Sequence, residues 1–181
     1  VCSSDLAGWG RGYRMDEIRA AVLRAQLVKL PAITAAMRHS KYRIREALAG
    51  LPGIQWRRIL DPSGDTGCFL ITTYRDAATA RMVNRALRAE GIVTHPQGIS
   101  DVVMTEWGLH LYYNNVSLVR RFPAWAKGAC PVADGLFERS ILLPIPSCLT
   151  PADEDDIIHA FTKVLPALAT PPVAASLEAQ P

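Results

Sequence analysis

Hydrophobic side chains recur every three to four residues in the first part of the chain, a spacing typical of an amphipathic α-helix. This spacing predicts a helix over residues 16–30 and a second helix over residues 32–49 that ends at Gly50. The apolar face of the first helix consists of Met15, Ile18, Val22, Leu23, Ala25, Leu27 and Leu30. Pro31 separates the two patterns, which indicates either two connector helices between domains or one kinked helix.

After residue 50 the pattern changes to short strands and helices. Strands are predicted over residues 54–60, 68–74, 92–95 and 141–145, and helices over residues 77–90 and 131–139. The run CFLITTY over residues 68–74 is apolar and β-branched, which is typical of a central strand. Residues 97–128 are rich in aromatic side chains but weakly periodic, and we expect a loop-dominated segment with a short helix near residues 117–121.

Polar residues mark the ends of two helices. Asp76 is a good N-cap for the helix over residues 77–90, and Gly91 is expected to end it. Thr150 is expected to cap a final helix that has Pro151 in its first turn. The buried face of this last helix is predicted to consist of Ile157, Ile158, Phe161, Val164 and Leu165.

The order of these elements predicts an α+β fold, in which a mostly antiparallel sheet carries helices on one face and long connector helices precede it. Residues 1–9 fit nothing that follows and are interpreted as a fragment boundary or a foreign scar. Residues 10–50 would contain the connector helices and a contact loop, and residues 51–168 a small α+β domain. Residues 169–181 are dominated by proline and alanine, which predicts a flexible tail.

Composition and charge narrow the class of protein. Hydrophobic residues make up 49% and charged residues 20% of the chain, which is ordinary for a soluble globular protein. A net charge of +3 is too small to favour nucleic acid as a partner. No apolar run approaches the ~20 residues of a membrane span, and the acidic run at residues 153–156 complements a helix dipole rather than indicating a metal site. The four cysteines lack zinc-ligand spacing and are expected to be reduced in a cytoplasmic protein: Cys2, Cys68, Cys130 and Cys148.

The loop before the first helix is the strongest candidate for binding. It consists of Gly10, Arg11, Gly12, Tyr13 and Arg14. Free backbone N–H groups at a helix start attract anions, and glycines let the chain approach them closely. Because a cation at this end opposes the helix dipole, Arg14 is expected to meet an anion or a neighbouring subunit, or else to pair locally with Asp16 or Glu17.

The sequence GYRMDEIRAAVLRAQLVKL over residues 12–30 resembles a segment of the DegT/DnrJ/EryC1/StrS aminotransferases. The resemblance continues through LPGI at residues 51–54, GDTGCFLI at residues 64–71, LHLYYN at residues 109–114 and the segment over residues 130–153. It covers residues 10–168. Enzymes of this family use pyridoxal 5′-phosphate (PLP), have the aspartate aminotransferase fold and usually aminate nucleotide-linked keto-sugars.

The resemblance implies that this chain is the C-terminal small domain, with its connector helices, of such a PLP-dependent transferase. The full enzyme would be a homodimer that moves an amino group from glutamate or glutamine to a keto-sugar or a cyclitol. Gly12, Tyr13 and Arg14 would contact the cofactor phosphate across the dimer interface, although the family usually has Asn at the position of Gly12. His110 and Tyr112 would lie on the substrate side, while the aromatic neighbours of His110 also fit a packed, structural histidine.

The family also requires a lysine that forms a Schiff base with PLP. The lysines of this chain are Lys29, Lys41, Lys127 and Lys163, and none has the sequence setting of that lysine. The chain by itself is therefore expected to be inactive. The alternative is a non-catalytic dimerisation or interaction module derived from the same fold.

Overall fold

The structure is a computed structural model, and it describes residues 15–92, 102–103, 112–114 and 116–169. The helices in these ranges are α1 (Glu17–Leu27), α2 (Leu30–Ala47), α3 (Ala77–Ala89), α4 (Val116–Arg121), α5 (Pro131–Glu138) and α6 (Pro151–Ala169). The strands are β1 (Gln55–Trp56), β2 (Phe69–Thr73), β3 (Val102–Val103) and β4 (Ser140–Pro144). Two 3₁₀ turns lie at Tyr112–Asn114 and Pro123–Trp125. The predicted strand at residues 92–95 and the predicted tail lie outside the described residues, except for Ile92 and residue 169.

The four strands form one antiparallel sheet in the order β1-β2-β4-β3. β2 and β4 are central, as predicted for residues 68–74, and Leu70 lies opposite Leu143. The strand predicted over residues 54–60 is wrong beyond Trp56, because pairing with β2 ends there and the arginine side chains that follow are exposed. The short edge strand β3 was not predicted, since two valines in an irregular segment carry no periodic signal.

Helices α2, α3 and α6 cover one face of the sheet and enclose the core. Leu70 and Leu143 of the central strands pack there with Phe161 of α6. The predicted face of α6 is confirmed, since Ile157, Phe161, Val164 and Leu165 are buried and Ile158 is half-buried. The α+β prediction, with an antiparallel sheet and helices packed on it, is therefore confirmed.

The helix ends follow the predicted capping pattern. Asp76 accepts a hydrogen bond from the Thr79 backbone N–H at 2.7 Å, and Gly91 ends the α3 region in a left-handed conformation with φ +89°. At α6, the carboxylate of Asp153 accepts from the backbone and hydroxyl of Thr150, both at 2.7 Å. In return, the Asp153 backbone N–H donates to the Thr150 hydroxyl at 3.2 Å, and this reciprocal cap fixes where the last helix starts.

The first helix contains no buried residue, in contrast to α2, α3, α5 and α6. Its predicted apolar stripe is exposed: Ile18 is 80% and Leu27 61% accessible. α1 and α2 are two helices bent by 51°, and Pro31 lies in the first turn of α2. Within the described residues no single helix is long and apolar enough to cross a membrane, and only this bent pair, taken together, meets those criteria by length and composition.

Candidate functional site

Of the site residues predicted from the sequence, only Tyr112 lies within the part of the chain that the structure describes. Gly12, Tyr13, Arg14 and His110 lie outside it. The described neighbours of these residues are the start of α1 and the 3₁₀ turn at Tyr112–Asn114.

The start of α1 is already capped. The carboxylate of Asp16 accepts a hydrogen bond from the backbone N–H of Arg19 at 2.8 Å and forms an ion pair with the Arg19 side chain at 3.4 Å. An N-cap carboxylate places negative charge at the positive end of the helix. The Asp16 carboxylate therefore already occupies this helix end.

The hydroxyl of Tyr112 belongs to a polar cluster around Asp134 of α5. It donates to the two carboxylate oxygens of Asp134 at 2.8 and 3.0 Å, and it accepts from the backbone N–H of Cys130 at 3.3 Å. The backbone N–H of Gly128 donates to the same carboxylate at 2.7 Å. Loss of hydration and the Asp134 carboxylate raise the pKa of Tyr112. The cluster ties the 3₁₀ turn to α5, because the buried carboxylate of Asp134 accepts from both Tyr112 and Gly128.

Tyr113 lies next to this cluster but has a different environment. Its ring meets that of Tyr112 edge-to-face at 5.0 Å between centroids, and its hydroxyl is buried without a hydrogen-bond partner in the described residues. Burial raises the pKa of Tyr113, although nearby Lys127 opposes the shift. Lys127 forms an ion pair with Glu138 of α5. The turn thus places one satisfied and one unsatisfied hydroxyl side by side.

A second polar cluster joins the loop before β2 to α2. The carboxylate of Asp65 accepts from Lys41 Nζ at 2.5 Å and from the hydroxyl of Tyr42 at 3.2 Å, while Arg38 Nε donates to the Asp65 carbonyl at 2.7 Å. Lys41 is 4% exposed. Burial alone would raise the pKa of Asp65, but the hydrogen bonds from Lys41 and from the Gly67 backbone outweigh it and lower that pKa. A buried lysine with a dedicated carboxylate is a structural pair.

Two further ion pairs connect helices to the rest of the chain. Arg43 of α2 binds Glu154 at 2.8 Å and Asp155 at 2.5 Å at the start of α6. Glu154 is buried, so this carboxylate does more than complement the helix dipole. Lys163 of α6 pairs with Glu90 at 2.7 Å.

Three of the four lysines are thus held in ion pairs: Lys41, Lys127 and Lys163. The fourth, Lys29, lies exposed between α1 and α2. A Schiff-base lysine must present a free amine to a cofactor pocket. In this structure Lys41, Lys127 and Lys163 each lie against a carboxylate instead. The described residues contain no group of His, Cys, Asp and Glu suited to a metal ion.

A cavity of about 320 Å³ lies on the face of the sheet opposite the core, next to α5. Its lining includes Gln55, Arg57, Ile71, Thr73, Phe137 and Arg139. Sequence analysis missed this site because its parts come from β1, β2, α5 and the start of β4. A local signal exists only in β2, where residues 71 and 73 project to one face of the strand.

Comparison with known proteins gives a match over most of the chain. Residues 3–162 match the DegT/DnrJ/EryC1/StrS aminotransferase family. The aminotransferase TlmJ from Streptoalloteichus hindustanus is 20% identical, with a TM-score of 0.64. Helicobacter pylori PseC, an aminotransferase involved in the biosynthesis of pseudoaminic acid, is 15% identical with a TM-score of 0.63. The sugar aminotransferase CalS13 from Micromonospora echinospora is 19% identical with a TM-score of 0.60.

The structural matches cover most of this chain but less than half of each matched protein. They span 90%, 87% and 86% of this chain, against 40%, 39% and 37% of TlmJ, PseC and CalS13. At these identities the matches show a shared fold. The fold described above is thus that of one part of an aminotransferase.

Proposed function

Because the chain belongs to the DegT/DnrJ/EryC1/StrS aminotransferase family, we propose that it forms the C-terminal part of a PLP-dependent sugar aminotransferase. The full enzyme would transfer an amino group from glutamate or glutamine to a keto-sugar, nucleotide-linked, or to a cyclitol. The observation that carries this proposal is the family match over residues 3–162. The likeness in fold to proteins named as aminotransferases supports it.

PLP, when bound, would supply the electron sink for transamination, and the protein would hold and orient it. In this proposal Gly12, Tyr13 and Arg14 approach the cofactor phosphate of a neighbouring subunit in a homodimer. Since Asp16 caps α1, the phosphate would be held by the loop itself, through the Gly12 backbone N–H and the Arg14 guanidinium.

The lysine that binds PLP would come from a part of the enzyme that this chain does not span. Support for this comes from the ion pairs that engage Lys41, Lys127 and Lys163, and from the coverage of about 40% of TlmJ. We therefore expect the 181-residue chain to be inactive when purified by itself.

On the substrate side we propose His110 as a residue that contacts the acceptor sugar. Tyr112 would orient the substrate side of the site, because its hydroxyl is already bonded to Asp134 and to the Cys130 backbone N–H. Anchored to α5 in this way, Tyr112 would hold the turn at Tyr112–Asn114, and His110 comes two residues earlier in the sequence. The small domain would then present this segment to the substrate.

Absorption spectroscopy tests the assignment of PLP. The longer protein that contains this chain is expected to bind PLP and show the absorption band of the cofactor joined to a lysine, and the 181-residue chain is expected to show none. A cofactor band on the purified 181-residue chain would contradict the proposed location of the lysine. Absence of the band from the longer protein would contradict the proposed function.

One observation favours a second function. The exposed apolar side chains of α1, such as Ile18 and Leu27 at 80% and 61%, are those of a helix that packs against another protein surface. A non-catalytic dimerisation module would form its dimer contacts through α1. Sedimentation analysis of the 181-residue chain distinguishes the two: a stable dimer without PLP favours the module, and a monomer favours the enzyme fragment.

A further inference from the structure

We propose that the cavity between the sheet and α5 binds a small molecule that carries one anionic group, a carboxylate or a phosphate, on an apolar body. The proposal uses none of the residues assigned above to cofactor or substrate. It also needs no PLP, so it stands or falls separately from the proposed function.

The cavity has the size and the walls of a small-molecule site. Its volume of about 320 Å³ lies at the lower end of the range of ligand pockets, roughly 300–1,000 Å³. Ile71 of the sheet and Leu136 and Phe137 of α5 provide apolar surface. Leu136 is 42% exposed and marks the accessible side. Burial of these side chains against an apolar ligand body would make binding more favourable.

The charges that line the cavity have one sign. Arg57 and Arg139 are both among its lining residues, and no Asp or Glu is found among the described residues that line it. In the part of the chain that the structure describes, neither arginine forms an ion pair with a carboxylate. By contrast, Lys41, Arg43 and Lys163 each have a carboxylate partner. A cavity with two arginines and no countercharge favours an anion.

Arg139 is oriented without being neutralised. Its Nη1 donates to Gln55 Oε1 at 2.9 Å and to the Tyr74 backbone carbonyl at 3.2 Å. Both acceptors are uncharged, and together they engage the two hydrogens of Nη1. The hydrogens on Nε and Nη2 remain and form a planar fork that matches a carboxylate or a phosphate. Because the guanidinium is already positioned, little side-chain entropy would be lost when an anion binds.

The sheet adds a buried hydroxyl pair to the same cavity. Thr73 and Ser140 lie opposite each other on β2 and β4, and their hydroxyls are 2.8 Å apart. Thr73 is 8% and Ser140 2% exposed. Their mutual bond uses one of two hydroxyl hydrogens, which leaves one donor for a ligand oxygen. A second, uncharged donor beside Arg139 would help to fix the orientation of the anionic group.

Titration calorimetry and protein-observed NMR on the purified 181-residue chain test the proposal with three probes of similar shape: benzoate, phenyl phosphate and benzyl alcohol. At least one of the two anions is expected to bind at the cavity, and the neutral alcohol is expected to bind at least about tenfold more weakly, as loss of one charge-assisted hydrogen bond predicts. The ratio between benzoate and phenyl phosphate decides between a carboxylate and a phosphate. Failure of both anions to shift the resonances of the lining residues would overturn the proposal.

Three variants locate the binding. Arg139→Gln removes the cation and is expected to weaken anion binding about tenfold, whereas Arg58→Gln, an exposed arginine that does not line the cavity, is the matched control and should have no effect. Leu136→Trp fills the cavity from its exposed side and is expected to abolish binding while the chain stays folded. Circular dichroism shows whether Arg139→Gln is still folded. If it is not, Leu136→Trp still tests the site. Unchanged binding in Leu136→Trp, or an equal loss in Arg58→Gln, would refute the site.

Discussion

At the scale of single residues, the loop before β2 depends on contacts between residues far apart in the chain. Asp65 reaches back to Lys41 and Tyr42 of α2, and the Asp65 carbonyl accepts from Arg38. Gly67 then crosses α2 so closely that a Cβ at this position would come within 2.4 Å of the Arg38 backbone nitrogen. The loop is therefore fixed by charge and by the absence of a side chain.

The Asp65–Lys41 pair should make stability depend on pH. The hydrogen bonds of the pair lower the pKa of Asp65 in the folded protein. The contribution of the pair to the unfolding free energy is therefore fully present above the ordinary Asp pKa of about 3.9, and it is lost as the pH falls through the lower pKa of the folded state. At pH 7, Asp65→Asn leaves the buried Lys41 without a countercharge and is expected to cost about 3 kcal/mol of unfolding free energy. Urea unfolding of both proteins from neutral to acid pH checks this. A difference that stays constant below about pH 4 would contradict it.

Gly67→Ala should be strongly destabilising. The residue has φ +78°, and the added Cβ would meet backbone atoms of Met37 and Arg38 that cannot move independently. Strain and overlap together are expected to cost about 3 kcal/mol. Gly50→Ala is the matched control, because nothing lies within 4 Å of a Cβ there, and it should change stability by less than about 0.5 kcal/mol. Equal melting temperatures for the two variants would contradict the close approach of Gly67 to the α2 backbone.

Two adjacent tyrosines provide an internal comparison. Tyr112→Phe removes a donor from the buried Asp134 carboxylate and is expected to lower the melting temperature by several degrees. Tyr113→Phe removes a hydroxyl that has no partner among the described residues and should leave the melting temperature unchanged or raise it. Differential scanning calorimetry measures both. The reverse order of effects would disprove the arrangement of this cluster.

At the scale of secondary-structure elements, the chain divides into a packed part and an unpacked helix. α2, α3 and α6 bury their apolar faces against β2 and β4, whereas α1 buries none of its residues. The driving force for folding therefore resides in the sheet and the three helices on it. α1 keeps its helical form through its own capping and propensity.

Substitutions on the two kinds of helix should differ sharply. Ile18→Ser on α1 replaces a side chain that is 80% exposed and should change the unfolding free energy by less than about 0.5 kcal/mol. Phe161→Ala on α6 empties a site that is 1% exposed and is expected to cost about 3–5 kcal/mol. Urea unfolding monitored by circular dichroism compares them. A large loss in Ile18→Ser would mean that α1 packs within the chain after all.

The elements that could be predicted are those with local signals. Asp76 and Thr150 indicate helix starts because their own side chains form the caps, and the apolar run at residues 68–74 indicates a buried strand. The features that could not be predicted join distant residues. Lys41 is buried only because Asp65 lies beside it, and the cavity at Arg139 forms only when β1, β2 and α5 meet. Whether the apolar stripe of α1 is buried likewise depends on a partner surface, which periodicity does not reveal.

At the scale of the whole molecule, the chain is part of an aminotransferase fold. It belongs to the DegT/DnrJ/EryC1/StrS family and spans about 40% of the length of TlmJ. Its lysines are engaged in ion pairs or exposed, and the helix that precedes its core is unpacked. Catalysis by this chain would therefore depend on a surface and a lysine supplied by the rest of the enzyme, as proposed above.

The most direct test of the central proposal follows nitrogen through the reaction. The longer protein that contains this chain is incubated with PLP, a nucleotide-linked keto-sugar, and glutamate or glutamine whose amino group carries heavy nitrogen, and the sugar is analysed by mass spectrometry. The account predicts an amino-sugar that has gained the labelled nitrogen and a donor converted to its keto acid, with neither product formed by the 181-residue chain alone. A longer protein that binds PLP but transfers no label to keto-sugars or to keto-cyclitols would contradict it.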